Sequence, residues 1–204
     1  MANGPGVVSS TPHFLPPAIR LAKIFGLMGT GILTGTYLTH SLHTVPALAE
    51  LNAAPTAIKR AFTQIHHSSH RILLAVILGT SSSFSLVAYH LYYAPLGNLA
   101  DYSPSFMHIA GTWAYFASAA TLVAGLIPYS KTIMASVNHK VIESADTADI
   151  TRDIGVTGLG GLEVQKKELS DDLISWSKRN WWRGAISLVA GFSAGFMAGG
   201  DVAY

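Results

Sequence analysis

The chain has 204 residues, of which 50% are hydrophobic and only 12% charged, with a formal net charge of +2. Soluble domains of this length carry about a quarter charged residues, so the composition excludes an ordinary soluble globular protein, and the small net charge gives no reason to expect a nucleic-acid partner. Cysteine is absent, which excludes disulfides, iron–sulfur clusters and thiolate zinc sites.

The N-terminal MANGPGVVSSTPHFLPP lacks the basic segment of a signal peptide, so residues 1–20 are expected to be a flexible tail. Residues 21–204 are expected to form one all-α, integral membrane four-helix bundle. Its spans fall at Lys23–Val45, Arg71–Tyr93, Phe106–Tyr129 and Arg183–Gly200, each about the ~20 residues needed to cross a bilayer. The last is short and Gly-rich. Between spans three and four lies a long loop, residues 130–182. It opens as a helical continuation, KTIMASVNHKVIES, passes through a glycine-rich linker, GVTGLGG, and returns as a polar helix, Leu162–Asn180. No strand precedes the glycines, so they do not read as a nucleotide-binding loop. Lys and Arg total 13, and all but Arg20 and Lys23 flank or occupy the loops 46–70 and 130–182. The positive-inside rule then puts those loops in the cytoplasm and both termini on the non-cytoplasmic side, with an internal membrane as the expected location.

Ionisable groups near a span are expensive and mark function by default. His40 and His43 close span one; His66, His67 and His70 open span two. Spacings of three and four place each pair on one helix face, and an up-down hairpin brings the two helix ends to one depth. Tyr129, Asn138, His139, Trp176, Asn180, Trp181 and Arg183 converge on the same boundary. His90 and His108 fall at the other. The bland alternatives are interface solvation of the histidines, an aromatic belt at Trp181 and Trp182, and a snorkelling Arg183.

The segment Trp176-x-x-x-Asn180-x-x-Arg183 stands directly before the last span. Upstream, Ile127-Pro128-Tyr129-Ser130 leads to Met134 and Asn138, and Gly26–Ser41 is rich in Gly and Thr. These features resemble the small four-helix membrane family that includes fungal anthrone oxygenases, with Ser130 standing where Thr is usual. The resemblance implies oxidation of a polyketide anthrone to an anthraquinone by O2 in fungal-type secondary metabolism, within the lipid bilayer. For that reaction the residues gathered at the cytoplasmic boundary offer a catalytic set of His40, His43, His66, His70 and Arg183, and substrate contacts from Asn138, Trp176, Asn180 and Trp181. A histidine would act as general base, and Arg183 with Asn180 would clamp the oxyanion. Because the substrate supplies the electrons, no cofactor is required. Other readings use the same residues differently. Histidine pairs suit copper or iron, although Glu50 is the one carboxylate nearby in sequence. A base and an oxyanion clamp also serve a membrane isomerase or cyclase of a related natural product. A non-enzymatic membrane scaffold would need neither.

Overall fold

A computed structural model describes residues 16–93, 106–142 and 159–200, and all of the regular structure among them is helical. The expected N-terminal tail up to residue 15, the connection at 94–105 and the first glycines of the linker lie outside the described residues.

Helix α1 spans Pro17–Thr39. Pro17 occupies the first helical position, where its missing N–H costs nothing. The chain then makes one π-helical turn, His40–Thr44, before α2, Val45–Glu50. Pro46 explains the wide turn. It has no N–H for the carbonyl of Leu42, and its ring would crowd that carbonyl in a regular helix. The Val45 amide instead reaches back five residues to His40 O.

Helix α3 runs Pro55–Tyr93 and α6 runs Leu159–Gly200, 39 and 42 residues. At ~1.5 Å per residue each is about 60 Å long, twice a ~30 Å hydrocarbon core. A helix of that length standing across a bilayer extends well beyond its hydrocarbon core. Helix α4, Phe106–Thr132, is followed after a break by α5, Ala135–Ile142, at an angle of 46°. At the break, Tyr129 O accepts both the Ile133 and the Met134 amides. Arg179 of α6 donates to Ile133 O at 3.3 Å, and Tyr129 Oη donates to Arg179 O at 3.0 Å, which stitches the bend to α6.

Helices α1 and α4 each pack on both α3 and α6. Two helical stretches, Pro17–Glu50 and Pro55–Tyr93, are long and apolar enough to cross a membrane, and the bent α4–α5 pair is a third if taken as one span. Their outer faces carry Phe25, Met28, Ile32, Ile72, Leu78 and Leu86, all exposed. The expected fourth span, Arg183–Gly200, is not among them; it lies inside α6, where glycine and serine dilute the apolar character.

Two buried clusters stack along the long axis. One joins Leu33, Ile77, Phe84, Phe116, Val123, Ala190 and their neighbours. The other joins Val45, Ile58, Phe62, Met134, Val141, Leu173 and Trp176.

Candidate active site

Between the two clusters lies a narrow cleft with an open mouth and about 30 Å³ of cavity volume. Its floor comes from α6, where Trp176, Asn180 and Arg183 follow one another at spacings of four and three and so share a stripe. From α1 come Tyr37 and His40. Val45 and Leu48 of α2 and Phe62, Ile65, His66, Ser69, His70 and Leu73 of α3 complete the lining. Tyr37, Trp176, Asn180 and Arg183 are buried, whereas His40, Leu48, Ile65, His66 and Ser69 are half-buried and His70 is exposed. The floor therefore faces a mouth set between the α1–α2 unit and α3.

Arg183 is only 8% exposed. Its Nη2 donates to Tyr37 Oη at 2.9 Å and its Nη1 to Asn180 Oδ1 at 3.1 Å, while Nε has no partner. The guanidinium carbon lies 4.1 Å from the centre of the Tyr37 ring, a cation–π arrangement. Both hydrogen-bond partners are neutral, so the positive charge at the floor is held in place without being cancelled.

Asn180 is fully engaged around it. Its Nδ2 donates to Tyr37 O at 3.2 Å and to Ser41 Oγ at 2.9 Å. Ser41 Oγ in turn donates to Tyr37 O at 2.7 Å, and Ser177 Oγ donates to Ser41 O. The helices are close here: at Gly184 a Cβ would sit 2.8 Å from Leu38 Cδ2 and 3.5 Å from the Leu38 amide nitrogen, so a larger residue would have to displace the Leu38 side chain.

Trp176 donates from Nε1 to Asn138 Oδ1 at 2.7 Å and meets Phe62 edge to face, with ring centres 5.2 Å apart. Phe62, His66 and His70 follow at intervals of four and stack, at 6.1 and 5.9 Å between ring centres.

Of the sequence-predicted residues, the fold brings His40, His66, His70, Trp176, Asn180 and Arg183 to the cleft. Asn138 does not line it but holds the Trp176 wall. Trp181 is exposed and packs on Trp182. His43 is exposed and off the lining. The π turn is the reason: a wider turn brings residues five apart into register, so Val45, not His43, follows His40 into the cleft. No group of three or more His, Cys, Asp or Glu among the described residues is arranged to hold a metal ion. Sequence reasoning passed over Tyr37, Ser41, Phe62 and Ser177. Tyr37 and Ser41 had a signal in their i, i+4 spacing and in the i+3 step from Tyr37 to His40.

Comparison with known proteins points one way. The profile of the family described as anthrone oxygenase matches residues 62–193. The chain is 25% identical over 183 residues to anthrone oxygenase encC of Aspergillus fumigatus, an alignment covering 87% of this chain and 92% of that protein. No solved structure matches it.

Proposed function

The chain belongs to the anthrone oxygenase family, and we propose on that premise that it is a membrane oxygenase converting an aromatic polyketide anthrone to an anthraquinone with O2. The observation that carries this reading is the uncancelled Arg183 guanidinium at the cleft floor, facing the imidazoles of His40 and His66 near the mouth.

An anthrone carries an acidic methylene opposite its ketone, and losing that proton makes an aromatic anthrolate. His40 takes the proton as general base, and the positive charge of Arg183 stabilises the oxygen on which negative charge develops. The electron-rich anthrolate passes one electron to O2. Recombination at the former methylene carbon forms a C–O bond and a peroxide. Loss of the remaining C–H proton then cleaves the O–O bond, leaving the second ketone and releasing the distal oxygen as water. One O2 is consumed per quinone, with one oxygen atom in the product and one in water. The substrate provides every electron, so the reaction needs no cofactor.

Phe62 and Trp176, set edge to face, give the flat substrate apolar walls. Leu42 and Ile72, each next in sequence to a buried residue of this region, are exposed and apolar, which suits a molecule that arrives from lipid. The C-terminal part of α6 completes a bundle of four spans, with the cleft on the cytoplasmic side of an internal membrane.

Metal-stripped membranes containing the protein, given an anthrone, test the reading. Quinone formation above the spontaneous background, with equimolar O2 uptake, is expected. Folded protein that adds nothing to the background would overturn it. Enolisation or cyclisation without O2 would replace it with an isomerase, and activity restored only by copper or iron would overturn the cofactor-free chemistry.

A further inference from the structure

Asn180 and Tyr37 stand in opposite positions as hydrogen-bonding groups. Both amide hydrogens of Asn180 are committed, to Tyr37 O and Ser41 Oγ, and its Oδ1 receives Arg183. Asn180 and Tyr37 are equally buried, each 1% exposed; what separates them is that Asn180 has no donor left for a substrate. Its place is behind Arg183, holding the guanidinium.

The Tyr37 hydroxyl receives Nη2 of Arg183 at 2.9 Å. A guanidinium has no acceptor, so the phenolic hydrogen cannot be directed back at Arg183. A buried hydroxyl seldom leaves its hydrogen unused. This one has no acceptor among the described residues, and its ring lines the cleft.

We propose that Tyr37 is the catalytic residue that touches the anthrone oxygen, donating the hydrogen bond that stabilises the anthrolate, with Arg183 acting through it and Asn180 as a positioning residue. The inference rests on the function proposed above and assigns the substrate-contacting donor within that same site. Accepting from a cation polarises the phenol, and successive hydrogen bonds strengthen one another. The bond that Tyr37 gives to an oxyanion is itself charge-assisted. Arg183 also lies against the face of the Tyr37 ring, so the donor is fixed before substrate arrives, as oxyanion stabilisation requires. The ketone oxygen and the methylene occupy opposite positions of the anthrone's central ring, so its donor and its base must stand about a ring's width apart in one cleft; Tyr37 and His40, three residues apart on one helix face, both line it.

The test is an anaerobic pH titration of 9-anthrone with the purified full chain, following the anthrolate absorbance. The wild-type protein is expected to ionise anthrone at lower pH than detergent alone does. Tyr37→Phe should move that midpoint back up by about two units, a hundredfold weaker stabilisation of the anion. It should lower kcat by about 10²-fold while changing anthraquinone affinity less than about threefold, which separates a contact made to the anion from a loss of the pocket. Tyr37→His, which keeps a donor, should recover part of the shift. An unchanged midpoint in folded Tyr37→Phe would overturn the proposal, as would an equal loss of quinone affinity and turnover. If Tyr37→Phe does not fold, the wild-type chain labelled with 3-fluorotyrosine replaces it. Tyr37 is the one described tyrosine in the cleft, and its more acidic phenol should move the midpoint further down; no movement would overturn the proposal. A wild-type chain that forms quinone but does not lower the midpoint would overturn this inference alone, whereas one that does neither would remove the proposed function as well.

Discussion

The two buried clusters are built on different principles. The lipid-flanked cluster relies on small residues. Ala119, Ala120, Ala190 and Ala194 are buried there, and at Gly26 and Gly29 a Cβ would fall 2.4 Å from Phe84 Cε1 and 1.9 Å from Thr80 Oγ1. Between helices in lipid there is no hydrophobic gain, so close backbone approach supplies the adhesion. Even its buried Lys23 lies 5.5 Å from the centre of the Phe116 ring. The second cluster is made of larger side chains, Phe62, Met134, Leu173 and Trp176, where the long helices leave the lipid and the bent α5 packs on α6. Tight small-residue packing leaves no room for a ligand. Bulky residues that meet at angles leave gaps. The cleft occupies the level where one regime gives way to the other, and its polar floor is roofed by aromatic rings.

If that contrast is correct, the largest effect belongs to the cleft floor. Arg183→Ala should lower anthrone turnover by about 10²–10³-fold, the loss typical of an oxyanion-stabilising group. Arg183→Lys should not restore it, because an ammonium cannot reproduce the fork to Asn180 and Tyr37. Steady-state quinone absorbance on protein of unchanged helix content reads both. Next, His40→Ala should cost about 10²-fold in kcat as loss of a general base. His43→Ala, one turn along but outside the cleft, should leave kcat within about twofold, and equal losses in the two variants would refute the role given to the π turn. In the lipid-flanked cluster the expectation reverses. Gly29→Ala should lower the thermal midpoint, by about 1–3 kcal/mol of overpacking. Gly31→Ala, with nothing within 4 Å of its added Cβ, should be neutral within about 0.5 kcal/mol. Between His40→Ala and His43→Ala in its effect on activity lies Asn138→Ala. It leaves the Trp176 indole N–H without its acceptor, costs about 1–3 kcal/mol, and should lower turnover about tenfold by loosening one wall. Intrinsic Trp fluorescence and turnover together check it.

Much of this arrangement was legible in the sequence. The all-helical, membrane-crossing character follows from apolar runs that physical length alone interprets. The gathering of His40, His66, His70, Asn180 and Arg183 at one end followed from i, i+3 and i, i+4 spacing in helices joined as hairpins. What stayed hidden was rotation. His43 shares the face of His40 in a regular helix, and only the π turn imposed by Pro46 turns it away. Trp181 and Trp176 look equivalent as aromatic residues of one segment, yet five residues of helix put them on different sides. Tyr37 was hidden for another reason. Its role comes from Arg183, 146 residues along the chain, and a long-range pair leaves no periodic trace in a single sequence. The C-terminal stretch of α6 shows the converse problem, since glycines that suit helix packing also weaken the hydropathy by which a span is recognised.

The account stands on the cleft between the two clusters as the place where the anthrone reacts. Photochemistry of the product tests this most directly, because an excited anthraquinone abstracts hydrogen from neighbouring C–H bonds and couples to them. Wild-type protein with anthraquinone bound should be irradiated and its adducts mapped by peptide mass spectrometry. The account predicts adducts on cleft-lining Leu48, Ile65 and Leu73, reduced when an anthrone competes. Adducts confined to the exposed Phe192 and Phe196, or to the separate groove beside Asn52 and Lys166, would contradict it.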